Sequence, residues 1–268
     1  MWLRIIFFIF ILNFCARADA QGISISPQEI QKITERVFEN ECSGKNECLL
    51  EWNDGEEFMS LGIGHFIWYP RGQMGPFEES FPKFLEYLKS TGEKVPGWLN
   101  TTPAPGCPWA SKDDLLKNHR SPQAIELRQL LLSTKSKQGD FLVKRLNDAL
   151  PLMLKRAPQA KRQQIREQFY RVAGAPTGVY ALVDYVNFKG LGTSSAERYH
   201  GKGWGLLQVL SDMHGQNDGR KALEEFVQAA DKVLVERVKN APPDRKEEKW
   251  LPGWQSRITS YLEFTTKK

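Results

Sequence analysis

Residues 41–66 read ECSGKNECLLEWNDGEEFMSLGIGHF, and this stretch decides the fold. Glu41 closes an amphipathic helix. Cys48–Trp52 has the composition of a strand. Asn53-Asp54-Gly55 is tight-turn chemistry, because Asn, Asp and Gly accept the left-handed backbone that a hairpin turn demands. Phe58–Phe66 returns as a second strand, loosened near its end by Gly62 and Gly64. The order helix, carboxylate, short polar loop and hairpin sets a carboxylic acid beside a small acid-lined hairpin.

Upstream, Ser26 is placed to cap a helix, with Pro27 at its first turn and Glu29 three residues on, as a capping box requires. Ile30, Ile33, Val37 and Phe38 recur at helical spacing, so the helix runs to about Asn40 or Glu41. Further upstream, a charged start (Met1–Arg4), an apolar run (Ile5–Phe14) and the small-x-small pattern Ala18-Asp19-Ala20 read as a secretory signal peptide over residues 1–20. The apolar run is short for a membrane anchor, and no later segment is apolar for long enough to span a bilayer. The expected compartment is therefore periplasmic or secreted, and oxidising. Of the cysteines that follow the signal, Cys42 and Cys48 flank a short loop and form the expected pair. Cys107 joined to either is the alternative.

Downstream, Phe66, Trp68, Tyr69, Pro70, Phe77, Phe81, Phe84 and Tyr87 make an aromatic passage that ends in a short helix from Phe81. Trp98–Trp109 reads as a loop. From Ser111 the chain is almost wholly helical, with Ser111 and Ser121 as caps. Amphipathic runs cover Ser121–Ser133, Gln138–Arg156 (with Pro151 set to kink or divide it) and Gln159–Val172. A helix over Thr177–Phe188 stops at Lys189-Gly190. A glycine-rich loop, a short helix at Leu206–Met213, a long helix over Gly219–Val238 and a last one over Gln255–Phe264 complete the chain. The expected fold class is α+β and mostly helical, with a hairpin-containing lobe (21–90), a helical insertion (91–175) and a helical lobe (176–268).

The chain of 268 residues carries a formal net charge of +5, which suits an anionic polymer or simply keeps a protein soluble. Gly-x-Ser-x-Gly, Walker and dinucleotide patterns are missing, so no cofactor is expected. The cysteines are not spaced as zinc ligands, so no metal is expected either. Lys155-Arg156 and Lys161-Arg162 read as solvated helix faces rather than a nucleic-acid stripe.

Glu41 is the sharpest candidate for acid chemistry. A helix C-terminus and partial burial both disfavour the charge on its carboxylate. Asp54, in the turn, can activate water or stabilise positive charge, and Ser60 can hold that water. Phe66, Trp68 and Tyr69 offer flat faces to sugar rings or pack between lobes, and Trp204, near His200 and Lys202, can line a cleft.

Glu41, Asp54, Ser60 and the run Ser60-Leu61-Gly62-Ile63-Gly64-His65 resemble the active-site segment of phage-type lysozymes, in the lysozyme-like superfamily. Ala181–Gly190 (ALVDYVNFKG) resembles the buried helix that anchors the large lobe of that family. Pro252–Ile258 (PGWQSRI) resembles its late arginine-containing helix, and Glu197–Gln208 resembles, more loosely, loops of other murein-cleaving relatives. The resemblance implies a lysozyme-like fold and cleavage of peptidoglycan or a related amino-sugar polymer by a monomer. It also implies Glu41 as general acid, Asp54 as base or charge stabiliser, Ser60 positioning water, and a structural role for His65. The interval from Glu41 to Asp54 is longer than the phage-type pattern and holds Cys42 and Cys48, so Glu56 or Glu57 are alternatives to Asp54. A single-glutamate lytic transglycosylase, a glycan-binding scaffold without catalysis, and an enzyme acting on another polymer such as chitosan are the competing expectations.

Overall fold

The computed structural model describes residues 22–23 and 25–263; the signal peptide expected over residues 1–20 and the end of the last expected helix at Phe264 lie outside them. Helix α1 (Pro27–Cys42) starts as its sequence dictates. Ser26 Oγ accepts from the Glu29 amide, and the Glu29 carboxylate accepts from the Ser26 amide. Ser43, left-handed at φ 49°, ends it.

Cys42 and Cys48 are joined in a disulfide across the next loop, which contains a 3₁₀ turn at Asn46–Leu49. Strand β1 (Leu50–Glu51) pairs antiparallel with β2 (Met59–Leu61), and β2 pairs antiparallel with β3 (Phe66–Trp68). The single return strand expected over Phe58–Phe66 is thus two strands. Gly62 at φ 68° and His65 at φ 45° turn the chain between them. The turn is held from outside. The buried side chain of Gln138 accepts from the Ile63 amide at 2.8 Å and donates to the Leu131 carbonyl at 2.7 Å. At Gly62 a Cβ would lie 2.3 Å from the Gln138 Oε1, so the turn admits only glycine there.

The helical part follows: α2 (Phe81–Ser90), α3 (Lys112–Lys117), α4 (Pro122–Ser133), α5 (Lys135–Arg156), α6 (Arg162–Ala173) and α7 (Gly178–Lys189). Ser111 and Ser121 cap α3 and α4 as expected. Pro151 neither breaks nor divides α5, which runs on to Arg156. A small hairpin not anticipated from the sequence, β4 (Arg198–Tyr199) with β5 (Lys202–Gly203), turns through His200 and Gly201, both at positive φ. Then come α8 (Leu206–Asp212), α9 (Arg220–Asn240) and α10 (Leu251–Thr259), the last with Pro252 in its first turn and a 3₁₀ turn, Ser260–Leu262, behind it.

One apolar core joins the parts: Val37 from α1, Leu61 from β2, Leu146 from α5, Tyr185 from α7 and Phe226 from α9 belong to the same cluster. Segment 91–175, expected as an insertion, therefore supplies α5, the helix that packs against α1, α2, α6 and α7. Among the described residues no helix is long and apolar enough to cross a membrane. The architecture is α+β and mostly helical, with one small three-stranded sheet beside a helical body.

The disulfide closes a sequence separation of six. Closing so short a loop removes denatured-state entropy worth roughly 2 kcal/mol. The double variant C42S/C48S is expected to lose about that much unfolding free energy, read as a lower urea midpoint at unchanged slope. Among the described residues Cys107 is the free thiol. It is buried against Met59, with the two sulfurs 3.9 Å apart, and burial pushes its pKa up to about 12.

Candidate active site

Four segments far apart in the chain meet at the carboxyl group of Glu41. The last turn of α1 supplies Glu41, with about one tenth of its side chain exposed. The turn between β2 and β3 supplies His65, whose Nδ1 lies 3.4 Å from Glu41 Oε2. Helix α7 supplies Asn187, whose Nδ2 donates to Glu41 Oε1 at 3.2 Å. Helix α10 supplies Arg257, whose Nη2 donates to the same Oε1.

Arg257 is itself fixed by Asp184, which is fully buried in α7. Its Nε donates to Asp184 Oδ2 at 2.9 Å and its Nη2 to Oδ1 at 2.8 Å, a two-pronged contact that sets the plane of the guanidinium. Tyr261 Oη donates to Asp184 Oδ2 at 2.6 Å, and Asn40 Nδ2 reaches both Tyr180 Oη (2.6 Å) and Asp184 Oδ1 (3.4 Å). Tyr180, Asp184 and Asn187 stand at i, i+4 and i+7, so one face of α7 presents all three to the end of α1. Burial opposes the charge on Arg257, but hydrogen bonds and charge from Asp184, then the charge of Glu41, outweigh it and raise its pKa. Of the two carboxyl oxygens of Glu41, Oε1 is held from two sides and Oε2 faces His65.

The other residues singled out from the sequence lie differently. Asp54 is exposed in its turn and ion-paired with Lys112 at 2.7 Å, which lowers its pKa chiefly through that hydrogen bond. Glu56 accepts from Asn53 Nδ2 at 2.9 Å within the same turn, and Glu57 is exposed. The hairpin turn therefore sends its carboxylates to solvent and to its own loop. Ser60 is buried in the middle strand. Phe66 and Trp68 are corrected from sugar-stacking faces to core. They are fully buried, alternate onto one face of β3, and pack on Phe84 (4.9 Å between centroids) and Phe81 (4.7 Å) respectively. Tyr69 is buried against Phe58, and its hydroxyl accepts from the Phe77 amide. Trp204 is buried too, its carbonyl taking a hydrogen bond from Tyr185 Oη at 2.9 Å. His65, expected as structural, touches the candidate acid directly.

Asp184, Asn187 and Arg257 carried no assigned role in the sequence. A signal existed for Asp184: a charge in the otherwise apolar and aromatic run Val179–Val186 asks for a buried partner. Sulfurs of Cys42 and Cys48 and a ring nitrogen of His65 lie within 4.8 Å of one another, but the disulfide consumes both thiols and leaves one ligand nitrogen. Comparison of the chain with protein-family models, with curated proteins and with solved structures finds no match.

Proposed function

We propose that this protein is an exported, lysozyme-like enzyme that cleaves the glycan of peptidoglycan, or a related amino-sugar polymer, with Glu41 as proton donor. The carrying observation is the convergence at Glu41. The SLGIGH run, the ALVDYVNFKG helix and the PGWQSRI helix, each of which resembles a part of phage-type lysozymes, all place a side chain on that one carboxyl group. Arg257 and Asn187 fix Oε1, which leaves Oε2 to deliver the proton to the glycosidic oxygen as the bond breaks. After departure of the leaving sugar, Arg257 stabilises the carboxylate that remains. Export is supported by the signal-like N-terminus and by the cysteine pair, which belongs in an oxidising compartment.

Lytic transglycosylation is the second reading, and the position of Asp54 favours it. A hydrolase of the two-carboxylate kind needs a base facing the sugar, whereas Asp54 is tied outward to Lys112. In the single-glutamate route Glu41 protonates the leaving oxygen, then takes the proton of the sugar hydroxyl that closes the anhydro ring. Atoms balance without water. Mature protein incubated with purified peptidoglycan is expected to release soluble muropeptides; none at any pH would sink the proposal. Asp54→Asn is expected to leave that rate close to wild type, whereas a loss as deep as that of a Glu41 variant would return Asp54 to the site.

A further inference from the structure

The turn that carries His65 is strained at one end and clamped from a distance. His65 lies in the left-handed region at φ 45°. A residue with a side chain is disfavoured there, and such positions persist where the surroundings over-determine them, often at functional sites. A glycine would hold this φ without strain, as Gly62 does at φ 68° in the same turn. The chain carries an imidazole there instead.

The clamp is α5. Gln138 is fully buried and both ends of its amide are committed. Its Oε1 accepts from the Ile63 amide at 2.8 Å, and its Nε2 donates at 2.7 Å to the carbonyl of Leu131 in α4. One helical turn further along α5, Leu142 closes on Gly64, where a Cβ would lie 3.0 Å from Leu142 Cδ2 and 2.6 Å from the Phe66 ring. The chain is thus pinned at Ile63 and at Gly64, and the next residue is His65. Its ring has a neighbour at each nitrogen. Nδ1 lies 3.4 Å from Glu41 Oε2, and Nε2 lies 4.0 Å from Cys48 Sγ, half of the disulfide that begins one residue after Glu41. Asn187 and Arg257 fix Glu41 Oε1. Oε2, the oxygen left to give the proton, has the imidazole beside it.

We propose that His65 is a positioning residue of the reaction, held against Glu41 Oε2 by the turn that Gln138 clamps. The ring confines Oε2, so that the proton leaves from one place. Gln138 acts on the rate through that ring, although its own hydrogen bonds go to Ile63, Leu131 and Thr134. This rests on the reading of Glu41 as proton donor and deepens it. It departs from the structural role that the resemblance to phage-type lysozymes implies for His65. A structural histidine supports the fold, whereas a positioning histidine at a strained φ weakens the fold and supports the rate.

The test compares the full mature chain with His65→Gly, Gln138→Met and the double variant, by melting temperature and by initial rates of muropeptide release over a range of peptidoglycan concentrations. His65→Gly is expected to hold the melting temperature at or above that of the wild type, because glycine relaxes the left-handed position. It is expected to lower kcat by about 10–10²-fold while the half-saturating concentration changes by less than about twofold, as when a reacting group is displaced. Gln138→Met keeps the length of the side chain and loses its hydrogen bonds. It is expected to lower kcat in the same way, and the double variant to be no slower than the slower single one. A readout free of turnover is the ring Cε1–H resonance of His65, identified by its disappearance in His65→Gly. Glu41→Gln is expected to shift it in the wild-type background and to leave it unmoved in the Gln138→Met background. The inference is overturned by His65→Gly or Gln138→Met at wild-type kcat, by a His65→Gly melting temperature well below that of the wild type, or by a His65 resonance indifferent to Glu41→Gln. The His65→Gly arm needs no Gln138 variant, so it decides even where Gln138→Met fails to fold. A wild type that releases no product ends the Glu41 reading itself. A wild type that releases product at a rate indifferent to His65→Gly ends this inference alone.

Discussion

Glu41→Gln is expected to lower the rate of glycan cleavage by about 10²–10⁴-fold, the usual contribution of a positioned general acid. Glutamine keeps the shape and can still meet Arg257 with its amide oxygen, but it has no proton of the required acidity to give. Arg257 stays paired with Asp184, so the fold is not left with an unanswered buried charge. The stability change is accordingly small, roughly 1 kcal/mol or less, the scale of one ordinary hydrogen bond. Initial rates of muropeptide release and a urea melt on the same preparation separate the two effects. A variant that is both inactive and badly destabilised would make Glu41 a structural residue.

The second large effect is on folding. Asp184 is fully buried and answers Arg257 twice and Tyr261 once. Asp184→Asn removes the counter-charge and leaves the guanidinium half-buried against Glu41 alone. Breaking one partner of a buried pair costs about 3–5 kcal/mol, because the remaining charge is still out of water. The urea midpoint of Asp184→Asn should fall by that equivalent. Activity should fall too, since Arg257 loses the contact that sets its plane. In a double-mutant cycle with Arg257→Met the two costs should be strongly non-additive, the double variant being less damaged than the sum. Additive losses would mean that the two side chains act independently, contrary to their geometry.

What the sequence discloses follows the range of each interaction. Caps at Ser26, Ser111, Ser121 and Gly190 were legible because a cap is made by residues three or four apart. The Cys42–Cys48 pair was legible, beside its alternatives, for the same reason. The Gly62–His65 turn was misread as strand. Its pattern is apolar and strand-like, and the residue that bends it, Gln138, lies 75 positions away from Ile63. The aromatic passage misled in a different way. Phe66 and Trp68 are equally suited to a sugar face and to a core, and only the arrival of α2 and α5 on β3 decides for the core. Arg257 and Glu41 are 216 positions apart, and nothing local in either helix announces the contact. Glu41 stands out as a candidate in the sequence because its position at a helix end beside a glycine-rich turn is a local feature.

The most direct measurement is mass spectrometry of the soluble products when wild-type protein and Glu41→Gln are incubated side by side with purified peptidoglycan. Muropeptides from the wild type alone, carrying either reducing or anhydro ends, are the expected result, and the end group distinguishes hydrolysis from transglycosylation. Equal product from both proteins would contradict Glu41 as the acid, and no product from either would contradict the glycosidase altogether.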